Sequence, residues 1–240
     1  MIVLFTDFGL CGPYVGQMQA VLQQRAPGIP VINLFADAPG FDPRASAYLL
    51  AAYATGFPPG SVFLSVVDPG VGGADRLPVV VRADDYWFVG PGNGLFSIAA
   101  RRARRAEVRE SLWRPDRLSA TFHGRDLFAP IAAALVNGES VESRPLTSQP
   151  GTDWPDDLAE VIYLDHFGNG LTGLRAASVS ARHTLHIGTA PLPRVRCFSD
   201  VPPGTPLCYE NSNGLLEIAV NGGSAAARLG LRVGTPITVA

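Results

Sequence analysis

The 240-residue chain has no lysine; all 19 of its Lys-plus-Arg positions are arginine. Schiff-base chemistry, a lysine general base and the lysine of a Walker-type phosphate loop are therefore excluded. Cysteine is scarce. Cys11, Cys197 and Cys208 are odd in number and lack CxxC spacing, so they form neither a zinc signature nor a disulfide framework, and a reducing compartment is expected. No apolar run nears the roughly 18 residues of a membrane span, and the opening MIVLFTDFGL has no basic stretch before its apolar residues, as a secretory leader would. A cytoplasmic protein with no membrane partner is expected. An excess of charge is also missing: 21 acids leave a net charge of −2, without the basic footprint of a nucleic-acid binder. The run RRARR at 101–105 has no interleaved aromatic residues and reads as a solvated helix face.

Apolar residues make up 47% of the chain and charged residues 17%, enough to build a sizeable core in one or two domains. Apolar runs at Ile2–Phe5, Val31–Phe35 and Ser61–Val67 alternate with helical patterns. One helix starts near Pro13, with Val15, Met18 and Leu22 on one face, and another starts at Asp42-Pro43, a side-chain cap followed by a proline. This βαβαβ order argues for a parallel sheet. A hairpin is predicted around Asp84-Asp85, with helices over Leu95–Arg105 and Leu127–Val136. The stretch 143–157, SRPLTSQPGTDWPDD, marks a linker. Beyond it, short β-rich runs are separated by Asn-Gly, Pro-Gly and Gly-Gly turns, the spacing of a small barrel or sandwich. The expected architecture is an α/β domain with a largely parallel sheet at 1–145, a linker at 146–158, and a smaller all-β, barrel-like domain at 159–240.

Ligands of open α/β sheets bind beyond the carboxyl ends of the strands, and three such positions here carry acids, Asp7, Asp37 and Asp68. Turn preference alone accounts for any one of them. Asp68 opens the glycine-rich loop DPGVGGADR, where backbone can approach a small ligand closely. Arg76 at its end either folds back on Asp68 or stands in solvent. His123, in TFHGRD, is the side chain type suited to proton transfer near neutrality. After the first β run of the second domain, Asp165, Phe167 and Asn169 lie within five residues, an acid, a ring and an amide that suit a ligand with an ammonium and a flat ring.

The motifs TDFG at 6–9, DPGVGG at 68–73, PGNGLF at 91–96, FHGRD at 122–126 and DHFGN at 165–169 resemble, in order and over nearly the whole chain, those of the SAM hydroxide adenosyltransferases. The resemblance implies hydrolysis of S-adenosyl-L-methionine (SAM) to adenosine and L-methionine, with SAM as substrate and no cofactor or metal. It implies catalytic roles for Asp68, Arg76 and His123 in holding and polarising the attacking water. It assigns Asp7 to the ribose hydroxyls and Phe41 to an aromatic wall, and places Asn93 within a site motif. Asp165 and Ser212 would hold the amino and carboxylate groups of the methionine part. Phe167, Asn169 and Phe198 would line the adenosine side, with the backbone at Asn221 and Gly222 on the adenine edge. The family also implies a homotrimer with active sites at subunit interfaces. The related halogenases replace the Asp and His of the water-binding trio and carry an extra loop. Only 14 residues separate Arg76 from Pro91 (91 − 76 − 1), which favours hydrolysis. Asn213 and Val220 stand where the fluorinase has arginines. Two further readings compete: a SAM or adenosine sensor without turnover, and a metal-dependent hydrolase using Asp7, Asp37, Asp68 and His123.

Overall fold

A computed structural model describes residues 1–240, which divide into two compact units, Met1–Trp154 and Pro155–Ala240. In the first unit the elements run β1 (Ile2–Thr6), α1 (Tyr14–Arg25), β2 (Val31–Phe35), α2 (Pro43–Ala54), β3 (Val62–Val66), β4 (Pro78–Ala83), β5 (Tyr86–Pro91), α3 (Ser97–Arg102), β6 (Ala106–Ser111), α4 (Ala129–Val136) and β7 (Ser143–Pro145). One seven-stranded sheet results, ordered β2-β1-β3-β5-β4-β6-β7. The β2-β1-β3-β5 part is parallel, whereas β4, β6 and β7 join antiparallel.

Strand β1 is buried along its full length, as a strand covered on both faces must be, and this is why it reads as a continuous apolar run. Ile2 and Leu4 face α1 and α4 in a core with Met18, Leu22, Val62, Leu64 and Phe128. The alternate face carries Phe5, whose ring meets Phe35, which in turn meets Tyr53 of α2. Helix α2 begins as its sequence indicates: the Asp42 carboxylate accepts the Ala45 N–H at 2.9 Å and Pro43 fills the first turn.

One expectation changes. The helix expected over residues 95–105 ends at Arg102, and the chain then enters β6, paired with β4. Here the Asp84 carboxylate in the β4–β5 turn accepts the N–H groups of Arg104 and Arg105 at 3.1 and 3.0 Å. The basic run is thus a helix end and a turn, not one helical face. The polar stretch 146–158, the expected linker, contains the boundary between the two units, and hydrogen bonds hold it on each side of that boundary. The Arg101 guanidinium donates to the carbonyls of Gly151, Thr152 and Trp154, while Asp157 receives a two-pronged contact from Arg175 at 2.8 and 2.6 Å.

The second unit contains β8 (Leu158–Leu164), β9 (Gly170–Arg175), β10 (Leu185–Ile187), β11 (Ala190–Leu192), β12 (Pro206–Glu210), β13 (Leu215–Val220), the short helix α5 (Ala225–Leu229) and β14 (Thr238–Val239). The strands form a four-stranded antiparallel sheet, β12-β13-β9-β8, and a three-stranded one, β11-β10-β14. Leu174, Leu185, Leu192, Leu216, Ile218 and Ala225 share its core. No helix of either unit is long and apolar enough to cross a membrane.

Candidate active site

A cleft of about 630 Å³ opens where β1 and β3 end, lined among others by Asp7, Tyr14, Phe41, Asp68, Phe122 and His123. Asp7 directly follows β1 and Asp68 lies two residues past β3, so parallel pairing of the two strands brings their loops side by side. His123 precedes a single π-helical turn, Gly124–Phe128, that leads into α4. Such turns re-aim side chains within a helix and recur at functional sites. Phe8, Tyr14 and Phe122 meet edge to face, with centroids 5.4 to 5.9 Å apart, forming an apolar wall beside the carboxylates.

The Asp68 carboxylate is 2% exposed and pairs with Arg76, whose Nε lies 2.8 Å from Oδ1. That N–H is not directed at the oxygen, so the contact is an ion pair without a hydrogen bond. Oδ1 also accepts the Gly70 N–H at 3.0 Å. Oδ2 is buried and accepts nothing, an exception to the pairing of buried polar atoms that a bound ligand or water would resolve. Of the two readings left open for Arg76, the structure selects the folded-back one. Gly72 has φ +82°, and a Cβ there would strike the carbonyl oxygen of Ala120; the loop bearing Asp68 therefore lies against the segment leading to His123.

Phe41 is 79% exposed and adopts φ 58°, a costly conformation for an aromatic residue. Its N–H donates to Asp7 Oδ2 at 3.0 Å, which holds the ring at the cleft mouth. Strain retained beside a cleft is a mark of function. Burial pushes the Asp7 carboxyl up, the backbone N–H groups of Phe41 and Asp7 itself pull it down, and the nearby Asp68 charge adds to the rise. With its folded pKa above the unfolded one, this carboxyl contributes stability at low pH that is lost as pH rises through the raised pKa. Phe41→Gly is expected to be more stable than Phe41→Ala by about 1 kcal/mol, the reverse of the ordinary order, because only glycine adopts this φ freely. Urea unfolding of the two variants measures the difference.

A second cleft, of about 620 Å³, lies in the second unit between Asp165, Phe167, Asn169, Phe198, Tyr209, Glu217 and Gly222. Asp165 organises its own loop: Oδ1 accepts the N–H groups of Phe167 and Asn169 at 2.9 and 2.8 Å, and Oδ2 accepts the Asn169 side-chain amide at 2.9 Å. Gly168 at φ +82° closes this turn against Ser224. Glu217 is buried, bonded to the Tyr209 hydroxyl and to Asn211 Nδ2. Burial pushes its carboxyl up; the bonds from Tyr209 and Asn211 oppose this, and the Asp165 charge adds to it.

Comparison with known proteins places both units. Residues 2–144 match the SAM hydroxide adenosyltransferase N-terminal domain and residues 159–238 the C-terminal domain of the same name. The chain belongs to the SAM hydroxide adenosyltransferase family. It is similar to the "(R)-S-adenosyl-L-methionine hydrolase" of Thermus thermophilus, 40% identical with 98% of each chain covered. A "Fluorinase" of Actinoplanes sp. is more distant, 25% identical with 100% of this chain and 97% of the relative covered. Among solved structures, an "uncharacterized conserved protein from Thermotoga maritima" superposes with a TM-score of 0.91 at 33% identity, each chain fully covered.

In this member of the family, the first cleft gathers Asp7, Phe41, Asp68 and His123, with Arg76 at Asp68. The second gathers Asp165, Phe167, Asn169, Phe198 and Gly222. Three other residues do not line either cleft. Asn93 is buried, with Nδ2 donating to the Val67 carbonyl at 2.8 Å, so it braces the chain just before Asp68. The Asn221 side chain donates to the Val201 carbonyl at 2.8 Å. Ser212 lines a separate surface recess with Arg194, Arg196 and Glu210. The metal-hydrolase reading needs a donor set, but no three His, Cys, Asp or Glu side chains are grouped to hold one ion. The linear pattern missed Tyr14 and Phe122 in the first cleft and Tyr209 and Glu217 in the second. Phe122 and Tyr14 flank residues already singled out, but an aromatic next to a turn carries no signal of its own.

Proposed function

We propose that the chain hydrolyses S-adenosyl-L-methionine to adenosine and L-methionine. The observation that carries this reading is the buried Asp68 carboxylate, with one oxygen unclaimed, in a cleft shared with Asp7 and His123. A chain 40% identical over nearly its full length, named as an (R)-S-adenosyl-L-methionine hydrolase, supports it. We assign the same sulfonium epimer as substrate here. Asp68, Arg76 and His123 hold the attacking water. Its oxygen forms the bond to ribose C5′ as the C5′–S bond breaks, the bonding pair passes to sulfur, and neutral methionine leaves. The leaving group needs no proton. The water must lose one, and the chain's task is to hold that water in line with sulfur and accept its proton. Asp7 binds the ribose hydroxyls and Phe41 covers the nucleoside.

Halide transfer is disfavoured, because a buried carboxylate at the nucleophile position repels an anion. As partner we assign two further copies of the chain, in a homotrimer where the first unit of one subunit and the second unit of a neighbour close on one substrate. The exposed rings of Phe41 and Phe167 at the two clefts support this, since each would be covered by such closure. Incubation of purified protein with the separated (R) and (S) epimers, resolved by chromatography, tests the reading. Equimolar adenosine and methionine from the (R) epimer are expected. Tight binding with the ligand recovered unchanged would instead establish a sensor.

A further inference from the structure

Glu217 stands on β13 opposite Tyr209 of β12. Its strand neighbours Leu216 and Ile218 point into the core of the second unit, so by alternation Glu217 points the other way, into the cleft. It is nonetheless only 6% exposed. The two groups that bond its carboxylate, the Tyr209 hydroxyl and the Asn211 amide, are neutral. The cleft wall holds two acids, Asp165 and Glu217, three rings, Phe167, Phe198 and Tyr209, and no arginine or histidine. In a chain with 19 arginines, a buried carboxylate left without a cation is costly unless a ligand brings one.

The acceptor count points the same way. An ionised carboxylate offers about four acceptor sites. Asp165 spends three on its own loop, whereas Glu217 spends two. An ammonium group carries three donors, more than the one site left on Asp165 can satisfy.

We infer that Glu217 is a specificity-determining residue, supplying with Asp165 the negative seat for the ammonium of the substrate's amino-acid end and thereby selecting an aminoacyl-type sulfonium over one bearing a plain alkyl chain. The inference rests on the SAM hydrolase reading. The flanking rings add to it, since cations are attracted to aromatic faces. A purely structural Glu217, pinning Tyr209 and Asn211, would affect every substrate alike.

The test compares wild type and Glu217→Gln on SAM and on an adenosyl dimethylsulfonium, which retains nucleoside and sulfonium but has no amino-acid end. For SAM, Glu217→Gln is expected to raise KM about tenfold or more, as loss of a charged hydrogen-bond partner does, with kcat within about twofold. For the truncated sulfonium, KM is expected to be the same in both proteins. Glu217→Asp keeps the charge and withdraws it by one methylene, and a smaller split of the same kind is expected, so a Gln variant that does not fold still leaves a readable comparison. An equal rise for both substrates, or no rise for either, overturns the role of Glu217 while wild-type turnover of SAM leaves the hydrolase reading standing. Absence of adenosine from wild type overturns the hydrolase reading itself.

Discussion

Asp68→Asn is expected to lower kcat for SAM hydrolysis by about a thousandfold, within the range associated with a positioned acid or base, while KM stays within about threefold. The substitution keeps the shape of the side chain, and the amide oxygen can still accept the Gly70 N–H that Oδ1 accepts now. What changes is the chemistry at Oδ2, the buried atom with no partner. A carboxylate oxygen there accepts a hydrogen bond from water and draws off its proton; an amide at the same place is far less basic. Arg76 loses its counter-ion, but its side chain is 23% exposed and water can solvate it, so the fold should tolerate the change. Single-turnover kinetics with adenosine as the readout, together with thermal unfolding, separates the two effects. A kcat within tenfold of wild type would remove Asp68 from the chemical step.

How much of this was legible in the linear chain depended on how each residue is covered. The β1, β2 and β3 runs were readable because the parallel part of the sheet leaves apolar residues at nearly every position of β1 and β3. Strand β6, reading AEVRES, was not. It lies towards the far side of the sheet, between β4 and the short β7, where Glu107, Arg109 and Glu110 leave Val108 as the one large apolar residue and no apolar run forms. The preceding RRARR then looked like more helix. Asp7, Asp68 and His123 were legible because they end strands or precede a helix, places where the topology of an α/β sheet leads one to look. The pairing of Arg76 with Asp68 was not, since a loop arginine in sequence has no direction. Glu217 was hidden most completely. On an antiparallel strand a single acid between leucine and isoleucine reads as the solvent side of an alternating pattern, and only the rings of Phe198 and Tyr209 around it turn that side into a buried wall. Ser212 and Asn221 were marked by motif position alone: within the second unit Ser212 lines a recess apart from the cleft of Asp165, and Asn221, singled out for its backbone, turns its side chain to the Val201 carbonyl.

The other large effect concerns backbone. Gly72→Val is expected to cost about 2 kcal/mol of stability, in the range for a residue held in a disfavoured backbone region, and to lower kcat/KM at least about a hundredfold, the cost of misplacing reacting groups by about an ångström. Two penalties coincide. At φ +82° a β-branched side chain is an outlier, and the new Cβ would overlap the Ala120 carbonyl oxygen, which is backbone and cannot rotate away. Relief requires the 68–76 loop and the 119–123 segment to separate. Asp68 and Arg76 lie on the first and His123 on the second, so the separation that restores backbone comfort pulls apart the groups proposed to hold the water. Thermal unfolding should show a fall of roughly 4 to 8 °C for a unit of this size. Gly16→Ala serves as the control. It lies within α1, has no positive φ, and meets nothing within 4 Å, so alanine there should stabilise the helix by about 0.5 to 1 kcal/mol and leave turnover unchanged. If Gly72→Val kept wild-type kcat/KM despite the lower melting temperature, the contact between the two loops would be a matter of stability alone, and the alignment of Asp68 with His123 would have to be maintained by the sheet.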